Sequence, residues 1–576
     1  MTPSSTEPTT AAELPPHPPE QILAADFPER VRLVCRNWAA QVNRNQPAVM
    51  ALYWAKYFFV YIGGWALLNV LTTERSADAS LLELFFSWTA FQKAVAWSMF
   101  YELTGLGCSW GPMNARFKPM TISFRYYLRP GTTKLPLFPG APVIGSPRRS
   151  ILDVAFYLAT QLSLLWALVQ PEVTASLLLP AFVLVPLLGV LDKTLFLAAR
   201  AEHYWVALTI LVVGIPSDDL WIAGCKMLWC CIWFWAATSK VNHHFPSVIM
   251  FMMNNGPFFP KILKKRLFVS YPDDLRPSKF ATVMAHFGTA TEYSLAFILL
   301  LAPSFELSVV GLCMMFAFHG YIALNNPNGM PIEWNILMVY GGIFLFGFNY
   351  DTRVTELAAA PVLLAFITFC SLVVPTLGNF FPRYCSFLLS MRYYAGNWAY
   401  NVWLFRKDTR SYEKLKEKMV IPIGSMKEQL QTMKLPAEAV ETAVAMSLSS
   451  RFMHLQGRPL LHALPEAVDD IEDYDWFEGE VLGGQLIGWN FGDGHLNNVN
   501  LLRAVQEQVG FEPGELRVVS VESQPLFGPA MAWEVNDAAT GLVASGRVAI
   551  DAEKRSIQGY PTGEYREAIL RGRSVG

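Results

Sequence analysis

Charge is what this sequence has least of. Charged residues make up 16% of its 576 residues, against roughly 25% in a soluble globular protein. Hydrophobic residues make up 53%. A composition this poor in charge does not describe a chain dissolved in water along its whole length. Disulfides are lacking too: none of the eight cysteines follows Cys385, which excludes the framework of a secreted, disulfide-held domain there. Cys225, Cys230 and Cys231 lack zinc-site spacing and read as small buried hydrophobes. Residues 1–20 have no apolar run, so they read as a disordered arm and not as a signal peptide. No phosphate-binding Gly-Lys-Ser/Thr loop, Gly-x-Ser-x-Gly elbow or paired-histidine zinc motif occurs. No internal repeat is visible.

Apolar runs of about 20 residues are present instead, the length that crosses a bilayer. They fall at 48–71, 83–107, 151–170, 174–191, 196–214, 219–239, 280–302, 306–325, 332–349 and 358–378. The expected fold class is therefore mostly α: a polytopic helical membrane bundle of about ten spans, residues 47–407, carrying a C-terminal α+β domain, residues 408–576. Charge marks that boundary. Residues 408–576 hold 25 acidic and 16 basic side chains, a net of −9, which leaves about +7 for the remainder. An acidic soluble part excludes nucleic acid as a partner.

The connection Cys108–Ser150 has seven Lys or Arg and no acid, and Lys240–Lys279 holds Lys261, Lys264, Lys265 and Arg266. The opposite connections are short and acidic or neutral. Both basic connections and both termini are then expected on the cytoplasmic side of a cell membrane. Residues 21–46 place Phe27, Val31, Val34 and Trp38 on one face, with arginines between them. That is either an interfacial amphipathic helix or one packed on the protein itself. The aromatic stretch Phe380–Phe405 carries Arg383 and Arg392 and reads as interfacial. After residue 408, helices are expected at 409–419, 424–433, 436–456 and 498–509. Strands are expected at 480–489, 516–524, 531–536 and 542–550, with a hairpin turn at Asp537–Gly541. Pro465–Asp475 reads as an acidic linker.

Ionisable residues within or beside spans are costly and point to function. Lys240, His243 and His244 follow an aromatic helix. His286 and Glu292 lie in the next span, His319 in the one after. Asn325 ends that span and Glu333 opens the ninth. Together they suit acid–base catalysis in a cytoplasm-facing cavity; the plainer reading is a set of head-group-level caps. No His or Glu pair has metal-ligand spacing on one helix, so no metal is assigned and the cofactor is left unknown. Glu102, Arg116 and Arg125 suit an anionic head group, or simply mark topology. Lys226 is a candidate base or a residue reaching for the outer interface. Asp493 and His495 sit in a glycine-rich run that is a polar site or a loop around strand ends.

The runs Glu102-Leu-Thr-Gly, Ser239-Lys-Val-Asn-His-His-Phe-Pro246, Ile332-Glu-Trp-Asn335 and Gly488-Trp-Asn-Phe-Gly-Asp-Gly-His495, over nearly the whole length, resemble an uncharacterised bacterial transmembrane family seen mainly in actinobacteria. More weakly, residues 200–350 resemble the membrane domain of vitamin K-dependent carboxylases. In those enzymes lysine and histidine do acid–base work on a quinol, and that resemblance implies such a role for Lys240 and His319. The leading expectation is a membrane-embedded enzyme acting on a lipid or isoprenoid-type substrate. The alternatives are a lipid transporter or flippase component, or a scaffold recruiting a protein partner through residues 408–576.

Overall fold

Burial separates the apolar helices into a hub and a surround. The computed structural model describes residues 16–40, 51, 54–74, 80–107, 124–214, 217–256, 259–325, 332–432, 434–489 and 494–555. Among the helices that precede the hub are α1 (Phe27–Ala39) and α2 (Trp88–Leu103). The hub is α3 (Asp218–Ser239), with 83% of its apolar window inside the protein. After it come α4 (Phe245–Asn255), α5 (Lys279–Leu301), α6 (Phe305–Asn325) and α7 (Ile332–Ile343).

Five helices among the described residues are long and apolar enough to cross a membrane by length and composition: Ile151–Leu168, α3, α5, α6 and the run Pro361–Phe380. Shorter apolar helices lie at Ala175–Leu191, Ala201–Gly214 and Ile332–Phe348. Apart from α3 these five are mostly uncovered. In α6 only 22% of the window is buried. Val362, Leu301 and Val283 are largely exposed, as is Phe59 on an earlier helix. Such a surface is stable against hydrocarbon, not water.

Tryptophan explains why α3 can be the hub. Trp221, Trp229 and Trp233 are fully buried on it. A buried indole N–H needs an acceptor. Trp229 donates to the Met338 carbonyl at 3.3 Å, Trp233 to His319 at 3.0 Å and Trp235 to the Ser371 carbonyl at 2.8 Å. Each bond ties the hub to a different neighbour. Gly341 on α7 permits the first approach, because a Cβ there would lie 2.6 Å from the Trp229 ring.

The basic connection after α2 is less free than its composition suggests. Lys134 pairs with Asp153, and Arg149 with Asp192, each at 2.7 Å and all but fully buried. Two of the seven cations counted toward topology are therefore locked in ion pairs with acids of neighbouring segments.

The C-terminal part contains α8 (Ala437–Met453) and an antiparallel five-stranded sheet. A short hairpin earlier in the chain supplies β1 (Phe268–Ser270) and β2 (Asp274–Pro277). The sheet strands are β3 (Tyr400–Arg406), β4 (Tyr474–Glu478), β5 (Leu516–Val521), β6 (Ala530–Asp537) and β7 (Gly541–Ala549), in spatial order β4-β3-β5-β6-β7. The expected hairpin is present, with Asp537 opposite Gly541.

Three expectations differ. β3 starts before the charge boundary, inside the stretch read as interfacial. It is an inner strand whose two faces enter different cores: Trp403 and Phe405 one, Tyr400 and Leu404 the other. Such a strand shows no alternation and reads as a plain apolar run. Residues Gly479–Ile487, expected as strand, form a helix, while β4 lies at the end of the expected linker. Finally, the apolar face of α1 is covered by protein, not lipid. Phe27 meets Phe452, and Trp38 packs on Phe251 at 4.1 Å and donates to Asn255.

Removing one member of a buried ion pair costs about 3–5 kcal/mol. Arg149→Met is accordingly expected to lower the thermal midpoint sharply in detergent, read by tryptophan fluorescence. Adding Asp192→Asn should recover a good part of the loss. Equal losses in single and double variants would show that charge is not the cause.

Candidate functional site

The largest described cavity lies where the membrane helices meet the C-terminal domain. It measures about 860 Å³. α4, α5 and α6 supply one side of its wall, with Phe245, Ile249, Phe287 and Phe318 among the apolar residues. The segment from Phe387 to Trp398 and strand β3 supply another, and the domain adds Arg451, His454 and Glu480. Gly288 leaves open space on α5, since a Cβ there would meet nothing within 4 Å.

Lys240 reaches this cavity from the end of α3. Its ammonium lies 5.1 Å from the Phe318 ring centre and 2.5 Å from a carboxylate oxygen of Glu292 on α5. Both side chains are almost fully buried. In so apolar a setting neither charge is stable without the other. The pair holds an amine and a carboxyl in contact, one proton between them, at the wall of an apolar chamber.

His319 stands behind the pair and is fully engaged. Its Nε2 accepts from Trp233, so its Nδ1 carries the proton and donates to Asn335 Oδ1 at 2.8 Å. It does not line the cavity.

The other predicted residues scatter. His244 is buried and its Nε2 bonds the Ala395 carbonyl at 3.0 Å, outside the cavity. His243 is exposed, its Nδ1 3.2 Å from Lys554. His286 is exposed on α5. Arg125 is exposed on the short helix Phe124–Tyr127. Arg116, Asp493 and the Asn325 side chain lie outside the described residues. Lys226 is tied to backbone: its ammonium donates to the carbonyls of Asn349 and Thr352 at 2.7 and 2.6 Å, away from the cavity lining. His495 pairs with Glu522 at 2.8 Å.

Glu102 and Glu333 come together, but elsewhere. Their carboxyls lie side by side, and Arg200 reaches Glu102 at 3.3 Å with both side chains fully buried. Tyr204 adds a bond to Glu102 at 3.5 Å. Gly107 makes the room, since a Cβ there would sit 2.0 Å from the Glu102 carboxylate. Arg200 lies over Tyr393, which itself lines the cavity. The two polar sites thus share one aromatic wall.

Sequence reading missed Arg200, Arg451 and His454. Arg451 lies in the last turn of α8, and His454 follows the helix directly in extended backbone. Arg451 is held by Glu478, lies 3.7 Å from Glu480, and covers the Tyr400 ring at 4.0 Å. His454 lies among Phe251, Tyr400 and His244, and its Nδ1 has no hydrogen-bond partner among the described residues. Burial, then the neighbouring His244 and the cations Arg451 and Arg458, hold its imidazole neutral well below the usual histidine range. Among the described residues no group of three His, Cys, Asp or Glu is placed to hold a metal ion.

Residues 9–565 match a family model described as "Transmembrane protein of unknown function (DUF3556)". No curated protein matches the chain, and no solved structure does.

Two outcomes are expected. Lys240→Met leaves Glu292 buried and unanswered, a loss of about 3–5 kcal/mol; with Glu292→Gln added, the thermal midpoint should rise again. A double variant as unstable as the single would argue against the pairing. Second, burial lowers the His244 imidazole to about 4, while the unfolded chain takes up its proton near 6.5. Folding stability should therefore fall as pH drops from 6.5 toward 4, by on the order of 3 kcal/mol from this residue. His244→Asn should flatten that limb of a melting-temperature profile.

Proposed function

The chain belongs to this transmembrane family, and we propose that it is a membrane-embedded enzyme doing acid–base chemistry on a lipid or isoprenoid-type substrate. The cavity holds the substrate, and Lys240 with Glu292 moves the proton. The observation that carries the reading is one juxtaposition: about 860 Å³ of largely apolar space with a buried ammonium–carboxylate pair at its wall.

In this reading the Lys240 ammonium first passes a proton to Glu292, and the free amine then takes a proton from a substrate hydroxyl or activated carbon. The ammonium so formed is balanced by the substrate anion, Glu292 stays a neutral carboxyl, and the surrounding rings keep water out. His319 fixes the hub against α6 and α7 through Trp233 and Asn335, and acts as a positioning residue. The likeness of Lys240 to the lysine of vitamin K-dependent carboxylases supports the same assignment and favours a quinol or related isoprenoid head. Both basic connections, and with them the C-terminal domain, face the cytoplasm.

Mild-detergent extraction followed by lipid mass spectrometry tests the reading. The native protein should carry one class of apolar-chain molecule, near one per chain. Gly288→Trp fills the open space on α5 and should reduce that amount at least threefold. Equal lipid in both preparations would remove the cavity as a substrate site.

A further inference from the structure

We infer that the C-terminal domain supplies the head-group contact: His454 receives the hydroxyl of an uncharged amphiphile whose chain lies between α4, α5 and α6. The inference rests on the cavity reading above and specifies its ligand.

Charge balance comes first. The two cations lining the cavity among the described residues are Lys240 and Arg451. Each is already answered, Lys240 by Glu292 and Arg451 by Glu478 with Glu480 nearby. Three carboxylates thus surround two cations. A phosphate or carboxylate head group would enter a desolvated space with no unmatched positive charge to meet it, which is strongly unfavourable. An uncharged head enters without that penalty. Arg125, which sequence reading offered for an anionic group, is exposed and does not line the cavity.

Hydrogen bonding then locates the head. Polar groups of the wall such as Asn255 and Thr291 already have partners, and the nitrogens of His319 are both taken. His454 lines the cavity and is 6% exposed; its Nδ1 is closed in, and its Nε2 is open and has no hydrogen-bond partner among the described residues. A buried polar nitrogen with no partner is unfavourable, so a ligand that answers it gains. A hydroxyl both donates and accepts, so it meets either imidazole tautomer. His454 directly follows α8, whose Phe452 packs on Phe27 of α1. The ligand therefore bridges the membrane helices and the domain, apolar chain toward one and polar head toward the other.

Geranylgeraniol and geranylgeranyl monophosphate share a chain and differ in the head, so radiolabelled binding of each to the full-length protein in nanodiscs separates the cases. The alcohol should bind at least tenfold more tightly. His454→Ala should weaken the alcohol roughly three- to tenfold, the range of one hydrogen bond, and leave the phosphate unchanged. His454→Gln, which restores a polar atom near Nε2, should recover most of the affinity and guards against a misfolded alanine variant. Phosphate binding as tight as alcohol overturns the uncharged head while leaving the cavity reading in place. Alcohol binding indifferent to His454→Ala overturns the role of His454. Failure of both probes to bind removes the inference and the cavity reading together.

Discussion

A polar group placed away from water must find its partner in the protein, and this requirement organises the molecule. The hub helix would be an ordinary apolar span but for its tryptophans. The indole N–H groups of Trp229, Trp233 and Trp235 are each committed to a different neighbour, which restricts the packing that leucines would have left free. The same requirement explains Lys134 with Asp153, Arg149 with Asp192, and Arg200 with Glu102. Lys240 with Glu292 obeys it too, but at the wall of a cavity large enough for a guest. Charge pairing elsewhere builds the scaffold; here it also borders an enclosed space.

The sequence made some of this legible. Long apolar runs announced the spans, and the acid-rich end announced a second part. Lys240, Glu292 and His319 stood out because ionisable residues are rare among such runs. Their relation did not: Lys240 and Glu292 are 52 residues apart, and nothing local says that two helix faces will meet. His319 drew attention for its type and turned out to be fully occupied by Trp233 and Asn335. His454 escaped attention because it lies just past the end of α8 in the acid-rich part of the chain, where a histidine carries no cost that would flag it. β3 escaped because burial on both faces erases the alternation that identifies a strand. The helix Gly479–Ile487 was misread because glycine beside apolar residues imitates a strand border.

The cavity belongs to neither half of the protein. Its membrane wall is apolar and its domain wall carries Arg451, His454 and Glu480. An amphiphile has the same division along its length. The proposed ligand would therefore be recognised by both parts of the chain. The aromatic wall at Tyr393 and Tyr394 adds a second connection. Tyr394 stacks on Trp334 at 4.1 Å and reaches Glu202 at 3.4 Å, so the cavity touches the buried Glu102–Arg200 site through side chains packed in contact.

The placement of β3 bears on how such a protein can be inherited. The strand leaves the membrane region directly and runs up the inside of the sheet, between β4 and β5. Arg392, just upstream, is buried and bonds both the Cys385 carbonyl and Ser523 across the junction. A gene cut at the point where composition changes, near residue 408, would leave a lone inner strand on one product and an open sheet on the other. The two parts are therefore not interchangeable modules joined by a tether. They are transmissible only as a unit, and recombination at the apparent seam would be purged.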